Sequence, residues 1–198
     1  YSKWTNQWRI KINSDKTQVI LIKTGKQKPK YINKYPVKLE NKDIPYLKTL
    51  KYLGVTIDSR LKLITHVNGI INKIKRPTAM LKFITLKHSK LHPKTGLILY
   101  TTLIRPIITY ATPLLLNISA NQTNRLALIE RKLIRNCLHV PKFMSSRNIY
   151  TMSKITPLSE YIKDTCKTYR NRLTAKPSLQ LLLNNCPSNT TLHKILNL

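Results

Sequence analysis

The sequence predicts an α+β protein that is mostly α, a short β segment followed by a bundle of about four helices. Three observations carry this. Before Asp58, apolar residues alternate with polar ones or gather in β-branched runs; after it, apolar spacing changes to that of helices and stays there almost to the end. Prolines fall where helices start or bend.

In chain order, residues 9–22 alternate around the turn-prone Asn13-Ser14-Asp15 and end in a β-branched run, which predicts a strand, a turn and a second strand. Residues 24–45 are rich in Lys, Pro, Asn and Tyr and read as a loop with a short strand near 37–39. Tyr52-Leu53-Gly54-Val55-Thr56-Ile57 reads as a strand in which Gly54 lets another backbone come close. The first helical stripe is Val67, Ile70, Ile71, Ile74, Leu81 and Ile84, with Pro77 marking a kink or boundary. The second is Tyr100, Leu103, Ile104, Ile107, Ile108 and Ala111, opened by Pro93 and kinked at Pro106. A third runs through Leu126, Ile129, Leu133 and Cys137, with Arg125, Arg131, Lys132 and Arg135 off the stripe and Asn121 available as cap. The fourth begins at Thr156-Pro157, a cap followed by proline at the first helical position, and uses Leu158, Tyr161, Ile162, Thr165 and Tyr169. Three regions follow: 1–60 mostly β, 61–176 helical, and a weakly structured Leu- and Asn-rich tail over 177–198.

Composition narrows the partner. The 198 residues, 41% hydrophobic, suffice for one or two domains with a core. Against 7 Asp and Glu stand 36 Lys and Arg, a net +29, which calls for a polyanion, since binding phosphates releases condensed counterions. The cations are spread along the chain rather than gathered on one amphipathic helix, so nucleic acid is favoured over a membrane surface. No run approaches the roughly 18 apolar residues that span a bilayer, and no signal segment is present. Cys137, Cys166 and Cys186 are odd in number with no C-x-x-C pair, which suggests neither a disulfide framework nor a zinc site and points to a reducing compartment. The start at Tyr1 rather than Met fits a piece of a longer polypeptide.

Two segments go beyond pattern. Trp4-Thr5-Asn6-Gln7-Trp8-Arg9-Ile10-Lys11-Ile12-Asn13-Ser14-Asp15-Lys16-Thr17 and Tyr52-Leu53-Gly54-Val55-Thr56-Ile57-Asp58 resemble the stretch downstream of the catalytic Asp-Asp in non-LTR retrotransposon reverse transcriptases, especially jockey-like ones. In that family they correspond to motif D of the palm and motif E, the primer grip. Leu99-Tyr100-Thr101-Thr102-Leu103-Ile104-Arg105-Pro106-Ile107-Ile108-Thr109-Tyr110-Ala111-Thr112-Pro113 is similar to the family's Leu-Tyr-Lys-x-Leu-Ile-Arg-Pro block in the thumb region. Glu130-Arg131-Lys132-Leu133-Ile134-Arg135 resembles the Gln-x-Lys-x-Leu-Arg stretch that follows. Order and spacing agree over roughly residues 4–173. Two departures exchange an aromatic for an aliphatic residue, one after the Leu-Lys beyond the primer grip and one at Pro113-Leu114-Leu115, where the family has Pro-Val-Trp.

The resemblance implies that residues 1–60 end a palm, 61–176 form a thumb-like bundle, and the parent is an RNA-directed DNA polymerase using magnesium. Implied partners are RNA, DNA, their hybrid and the rest of the parent polyprotein, in the nucleus or cytoplasm, with no membrane. Two-metal nucleotidyl transfer needs neighbouring carboxylates, and Asp15, Glu40, Asp43, Asp58, Glu130, Glu160 and Asp164 include no adjacent pair. The family's Asp-Asp would lie upstream of Tyr1, so this chain alone is expected to be inactive and to bind no cofactor itself. Lys16 is either the motif D general acid or a solvated turn residue. Tyr52, Leu53 and Gly54 are either a primer grip or an ordinary hairpin. Arg105 is either a phosphate contact or a solvated cation or helix-end partner, and Arg125, Arg131, Lys132 and Arg135 either follow a duplex backbone or keep a helix face soluble. His88 and His92, four apart before Pro93, lack the Glu of a zinc protease motif. The alternative function is a stand-alone, non-catalytic RNA- or DNA-binding protein, domesticated from such an element or unrelated to it. A ribosomal-type structural protein fits less well, because the helical stripes are continuous.

Overall fold

Asparagine and glycine chemistry shapes the first part of the chain more than strand propensity does. The computed structural model describes residues 2–22, 36–39, 42–86, 91–116 and 118–175, and divides the chain into two units, Tyr1–Thr65 and His66–Leu198. His88, Glu40, Cys186 and the expected tail fall outside the described residues.

In the first unit α1 (Ser2–Gln7) precedes six short strands, β1 (Val19–Ile20), β2 (Val37–Leu39), β3 (Lys42–Ile44), β4 (Tyr46–Leu47), β5 (Thr49–Tyr52) and β6 (Val55–Asp58). They pair as three two-stranded ladders: β1 parallel to β4, β2 antiparallel to β3, and β5 antiparallel to β6. The strand expected over 9–12 is not there. Asn13 instead folds the chain back, its Oδ1 accepting from the Asp15 N–H at 2.9 Å and the Lys16 N–H at 3.2 Å, which satisfies locally the groups a ladder would use. The segment 52–57, read as a strand with a hairpin at Tyr52-Leu53-Gly54 as one alternative, is a hairpin. Tyr52 pairs with Val55 around a two-residue turn in which Leu53 (φ 45°) and Gly54 (φ 82°) are both left-handed. Gly54 thus answers a need for positive φ rather than for close backbone approach. Asp58 then holds the exit from β6, its carboxylate accepting from the backbone N–H groups of Arg60, Lys62 and Leu63 at 3.0, 3.1 and 2.6 Å.

The four stripes of the second unit become α2 (Ile64–Ile84), a continuous run of α3 (Pro93–Leu99), a π-helical turn (Tyr100–Ile104) and α4 (Arg105–Thr109), then α6 (Ala120–Leu138) and α8 (Leu158–Thr174). Two shorter helices, α5 (Thr112–Leu115) and α7 (Ser146–Ser153), were not expected. An α+β protein, mostly α, is what the structure shows. Pro77 does not end α2, which runs through it. One lost hydrogen bond there is outweighed by Ile74 and Leu81, buried on either side. Pro106 acts as expected but through a particular device. Its ring would press on the carbonyl one turn back, and the wider π turn just before it, closed by the Arg105 N–H on the Tyr100 carbonyl, makes room. Helix α6 is capped by Ser119, whose hydroxyl accepts from the Gln122 N–H at 3.4 Å, so Asn121 lies in the first turn instead. Pro157 is the cap residue of α8 rather than its first helical residue.

The inward faces follow the stripes with exceptions. Val67, Ile70, Ile74, Tyr100, Ile104, Ile108, Leu126, Leu133, Cys137, Leu158 and Ile162 are buried, whereas Leu103, Ile84, Tyr161 and Tyr169 are exposed. Helix α3 packs on α6, and α8 packs on α5 and α6. Gly96 makes the first contact possible: a Cβ there would sit 3.1 Å from Thr85 Cγ2 and 3.3 Å from Cys137 Cβ. Among the described residues no helix is long and apolar enough to cross a membrane.

Candidate nucleic-acid interface

Helix α6 carries most of the basic residues singled out above, and its inner face decides what they are free to do. That face is Leu126, Leu133, Ile134 and Cys137, interrupted by Glu130, whose side chain has no exposure at all. A carboxylate in such a place must be paired. Glu130 Oε1 accepts from the Tyr100 hydroxyl at 2.8 Å, and Oε2 accepts from the Tyr150 hydroxyl at 3.0 Å and the Leu158 N–H at 2.9 Å. It thereby ties α6 to the π turn, α7 and the start of α8. The cation opposite it is Arg105, with Nη1 4.0 Å from Oε1.

Arg105 is therefore a structural group. It is only 11% exposed, donates from Nη2 to the Thr156 carbonyl at 2.7 Å, and lies over the Tyr161 ring at 4.6 Å. Its partners are thus a carboxylate in the middle of α6, a carbonyl ahead of α8 and an α8 ring. Arg125 is also engaged, donating to Asn68 Oδ1 on α2 at 3.1 Å and to Gln122 Oε1 at 2.8 Å. Arg135 donates from Nη2 to the Met144 carbonyl at 2.9 Å, bracing the loop between α6 and α7. That leaves Arg131, half-buried, and Lys132, exposed, as the two of this set that make no hydrogen bond within the protein among the described residues. The electrostatics around Glu130 also mark the pair of tyrosines. Burial, then the Glu130 charge, push the Tyr100 and Tyr150 hydroxyls well above the ordinary tyrosine range. Burial pushes the Cys137 thiol up to about 11, so it is an inert core group.

The C-terminal half of α6 lines a cavity of about 520 Å³ together with Lys82 from the last turn of α2 and Lys142 from the following loop. Neither lysine was singled out in the sequence. They lie 50 and 10 residues from Lys132, and only folding brings them together.

In the first unit Lys16 sits in the Asn13 turn with its side chain exposed, and the neighbouring Asp15 is paired with Lys42. Tyr52 and Leu53 are 62% and 73% exposed at the hairpin tip, so the three expected grip residues do stand together on an accessible turn. Among the described residues no three His, Cys, Asp or Glu side chains are placed to hold a metal ion.

Comparison with known proteins gives a consistent set of relatives. The chain is 21% identical over 180 residues to the RNA-directed DNA polymerase from mobile element jockey of Drosophila melanogaster, covering 90% of this chain and 19% of that protein. It is 20% identical over 179 residues to the jockey polymerase of Drosophila funebris, again 90% of this chain and 19% of the relative. It is 24% identical over 173 residues to the "Probable RNA-directed DNA polymerase from transposon X-element" of Drosophila melanogaster, 87% of this chain and 18% of the relative. The chain thus spans about a fifth of the length of the relatives it matches. No protein-family model matches it, and no solved structure does.

Proposed function

We propose that this chain is the portion of a retrotransposon RNA-directed DNA polymerase that follows the catalytic carboxylates, and that its helical unit holds the primer–template duplex by its phosphates. One observation carries the reading. A stretch similar along nine-tenths of its length to such polymerases has 36 Lys and Arg against 7 Asp and Glu. Nucleic acid is then the polyanion, and the thumb is the part of a polymerase that grips it without reading bases.

Within this reading the second unit is the thumb, with Arg131 and Lys132 as its outward cations on α6. The β5–β6 hairpin with Tyr52, Leu53 and Gly54 is the primer grip, and Lys16 stands where a motif D proton donor would. Arg105 and Arg125 serve the duplex indirectly, by fixing the helices. Magnesium belongs to the intact parent, because this chain contributes no adjacent carboxylate pair.

The test is binding of an RNA–DNA hybrid and of B-form DNA of the same sequence by the purified chain, each over a salt series. A thumb tracks the wide minor groove of an A-like hybrid, so hybrid should bind more tightly at matched salt, and both should weaken steeply as salt rises. Equal affinity for the two duplexes would refute the thumb and favour a general basic binding protein. Addition of nucleotides and magnesium to the hybrid should give no primer extension.

A further inference from the structure

We propose that the cavity at the C-terminal end of α6 seats a phosphodiester of the bound strand, through Lys82, Lys132, Arg135 and Lys142. The proposal rests on the nucleic-acid reading above and names a contact point within it.

Three separate segments contribute to the wall: Lys82 from α2, Lys132, Arg135 and Asn136 from α6, and Val140 and Lys142 from the loop beyond it. Four of these six residues are cations and none is an acid, so no carboxylate among them offsets their mutual repulsion. The end of α6 opposes an anion, since a helix C-terminus carries roughly half a negative charge. Two of its last carbonyls, those of Arg135 and Asn136, are already occupied by the Val140 and His139 N–H groups at 3.2 Å each. Four full positive charges therefore outweigh the residual dipole.

The wall is also prepared. Arg135 is held by the Met144 carbonyl at 2.9 Å, and its Nε is buried with no hydrogen-bond acceptor among the described residues, a cost that a nearby anion lowers. Lys82, Lys132 and Lys142 are exposed and can close over a ligand. The volume of about 520 Å³ lies in the range of a nucleotide-sized ligand, roughly 300–1,000 Å³. Among the described residues no aromatic side chain lines the cavity, so they offer no platform within it for stacking a base. Recognition is then of the sugar–phosphate backbone and blind to sequence.

The experiment compares three forms of the full chain by anisotropy with labelled hybrid, single-stranded RNA and B-form DNA, each from low to moderate salt. These are the parent, Lys82→Ala with Lys142→Ala, and Lys163→Ala with Lys167→Ala. Both pairs are exposed lysines and change net charge equally, but the second pair, on α8, lines no part of the cavity. Circular dichroism verifies that each variant folds. The cavity pair should reduce the slope of log K against log salt by up to about 0.9, the one phosphate contact the cavity makes, and the α8 pair by less than half of that. Between 50 and 200 mM salt a slope change of that size is about a 3.5-fold difference in how much affinity is lost. If the two pairs behave alike while the parent prefers hybrid, the cavity proposal falls and the duplex reading stands. If the parent shows no preference for hybrid but only the cavity pair loses slope, the duplex reading falls and the cavity stands. Inorganic phosphate at matched ionic strength should compete weakly, because it brings none of the strand's other contacts. Full displacement by low phosphate would overturn the strand as occupant and favour the free ion.

Discussion

Replacing Glu130 should unfold the helical unit more readily than any surface change, and the size of the effect follows from what the carboxylate holds. Glu130→Ala removes the acceptor of the Tyr100, Leu158 and Tyr150 donors at 2.8, 2.9 and 3.0 Å, and leaves Arg105 facing no charge. An unsatisfied buried donor costs about 1–3 kcal/mol, and breaking a buried ion pair from one side costs about 3–5 kcal/mol. These do not add, because hydroxyls rotate and water enters the space. A loss of about 4 kcal/mol is expected, a large part of the roughly 5–15 kcal/mol that holds a domain together. Glu130→Gln should cost less, about 2–3 kcal/mol, because it also takes away the charge facing Arg105 but leaves polar partners for the groups around it. With its oxygen in the Oε2 position the amide still serves Tyr150 and Leu158, while its NH₂ donates to the Tyr100 hydroxyl. Urea unfolding followed by far-UV circular dichroism measures both variants. An Ala variant within about 1 kcal/mol of the parent, or Gln and Ala variants of equal stability, would refute the idea that this carboxylate joins the helices.

Glu130 also shows where sequence reading stops. It falls on the α6 stripe, one turn from Leu126 and from Ile134, so an acid at a core position was visible in principle. Its partners were not. They come from positions 100, 105, 150 and 158, and nothing local links them. The same limit separates the cations. Periodicity correctly put Arg125, Arg131, Lys132 and Arg135 off the stripe, but which of them are spent on Asn68, Gln122 and Met144 depends on neighbours in space. Arg105 shows it most sharply, since a basic residue beside a helix bend is usually solvated and this one is held by a buried acid. The long helices were legible because each buries a face over several turns, and α7 was not, because eight residues in a Ser-rich stretch give too little period to see. In the first unit, alternation at 9–12 lost to the Asn13 turn, and the Tyr52 segment hid a bend. A two-residue turn leaves the strand-like composition on both sides intact, and Gly54 was the mark that carried it.

The other predictions concern ionisation, the hairpin and the closest helix contact. Tyr100, Tyr150 and Cys137 keep their protons in the fold to higher pH than in the unfolded chain, so stability should be full below about pH 8.5 and fall as pH rises beyond it. Unfolding midpoints from pH 8 to 11 should show the fall, with a shallower one in Tyr150→Phe; a flat profile would contradict it. At the hairpin, Gly54→Ala forces a Cβ onto φ 82° and should loosen the β5–β6 amides by about 1 kcal/mol in hydrogen exchange. Leu53→Asn, which relaxes a leucine at φ 45°, should tighten them; the opposite signs would show that the turn is not what holds the ladder. The last concerns Gly96. By helix propensity alone Gly96→Ala would gain about 1 kcal/mol, yet the new methyl would stand 3.1 Å from Thr85 Cγ2 and 3.3 Å from Cys137 Cβ. Overpacking of a filled core costs about 1–3 kcal/mol, so the net change should be a loss. Thr85→Ser removes the nearest of those atoms and keeps the hydroxyl that donates to the Leu81 carbonyl at 2.8 Å. On the Gly96→Ala background it should therefore restore stability, although on the parent it merely deletes a buried methyl and costs about 1 kcal/mol. The opposite signs are a coupling that a double-mutant cycle reads directly, and purely additive effects would mean that α3 does not meet Thr85, at the end of α2, through Gly96.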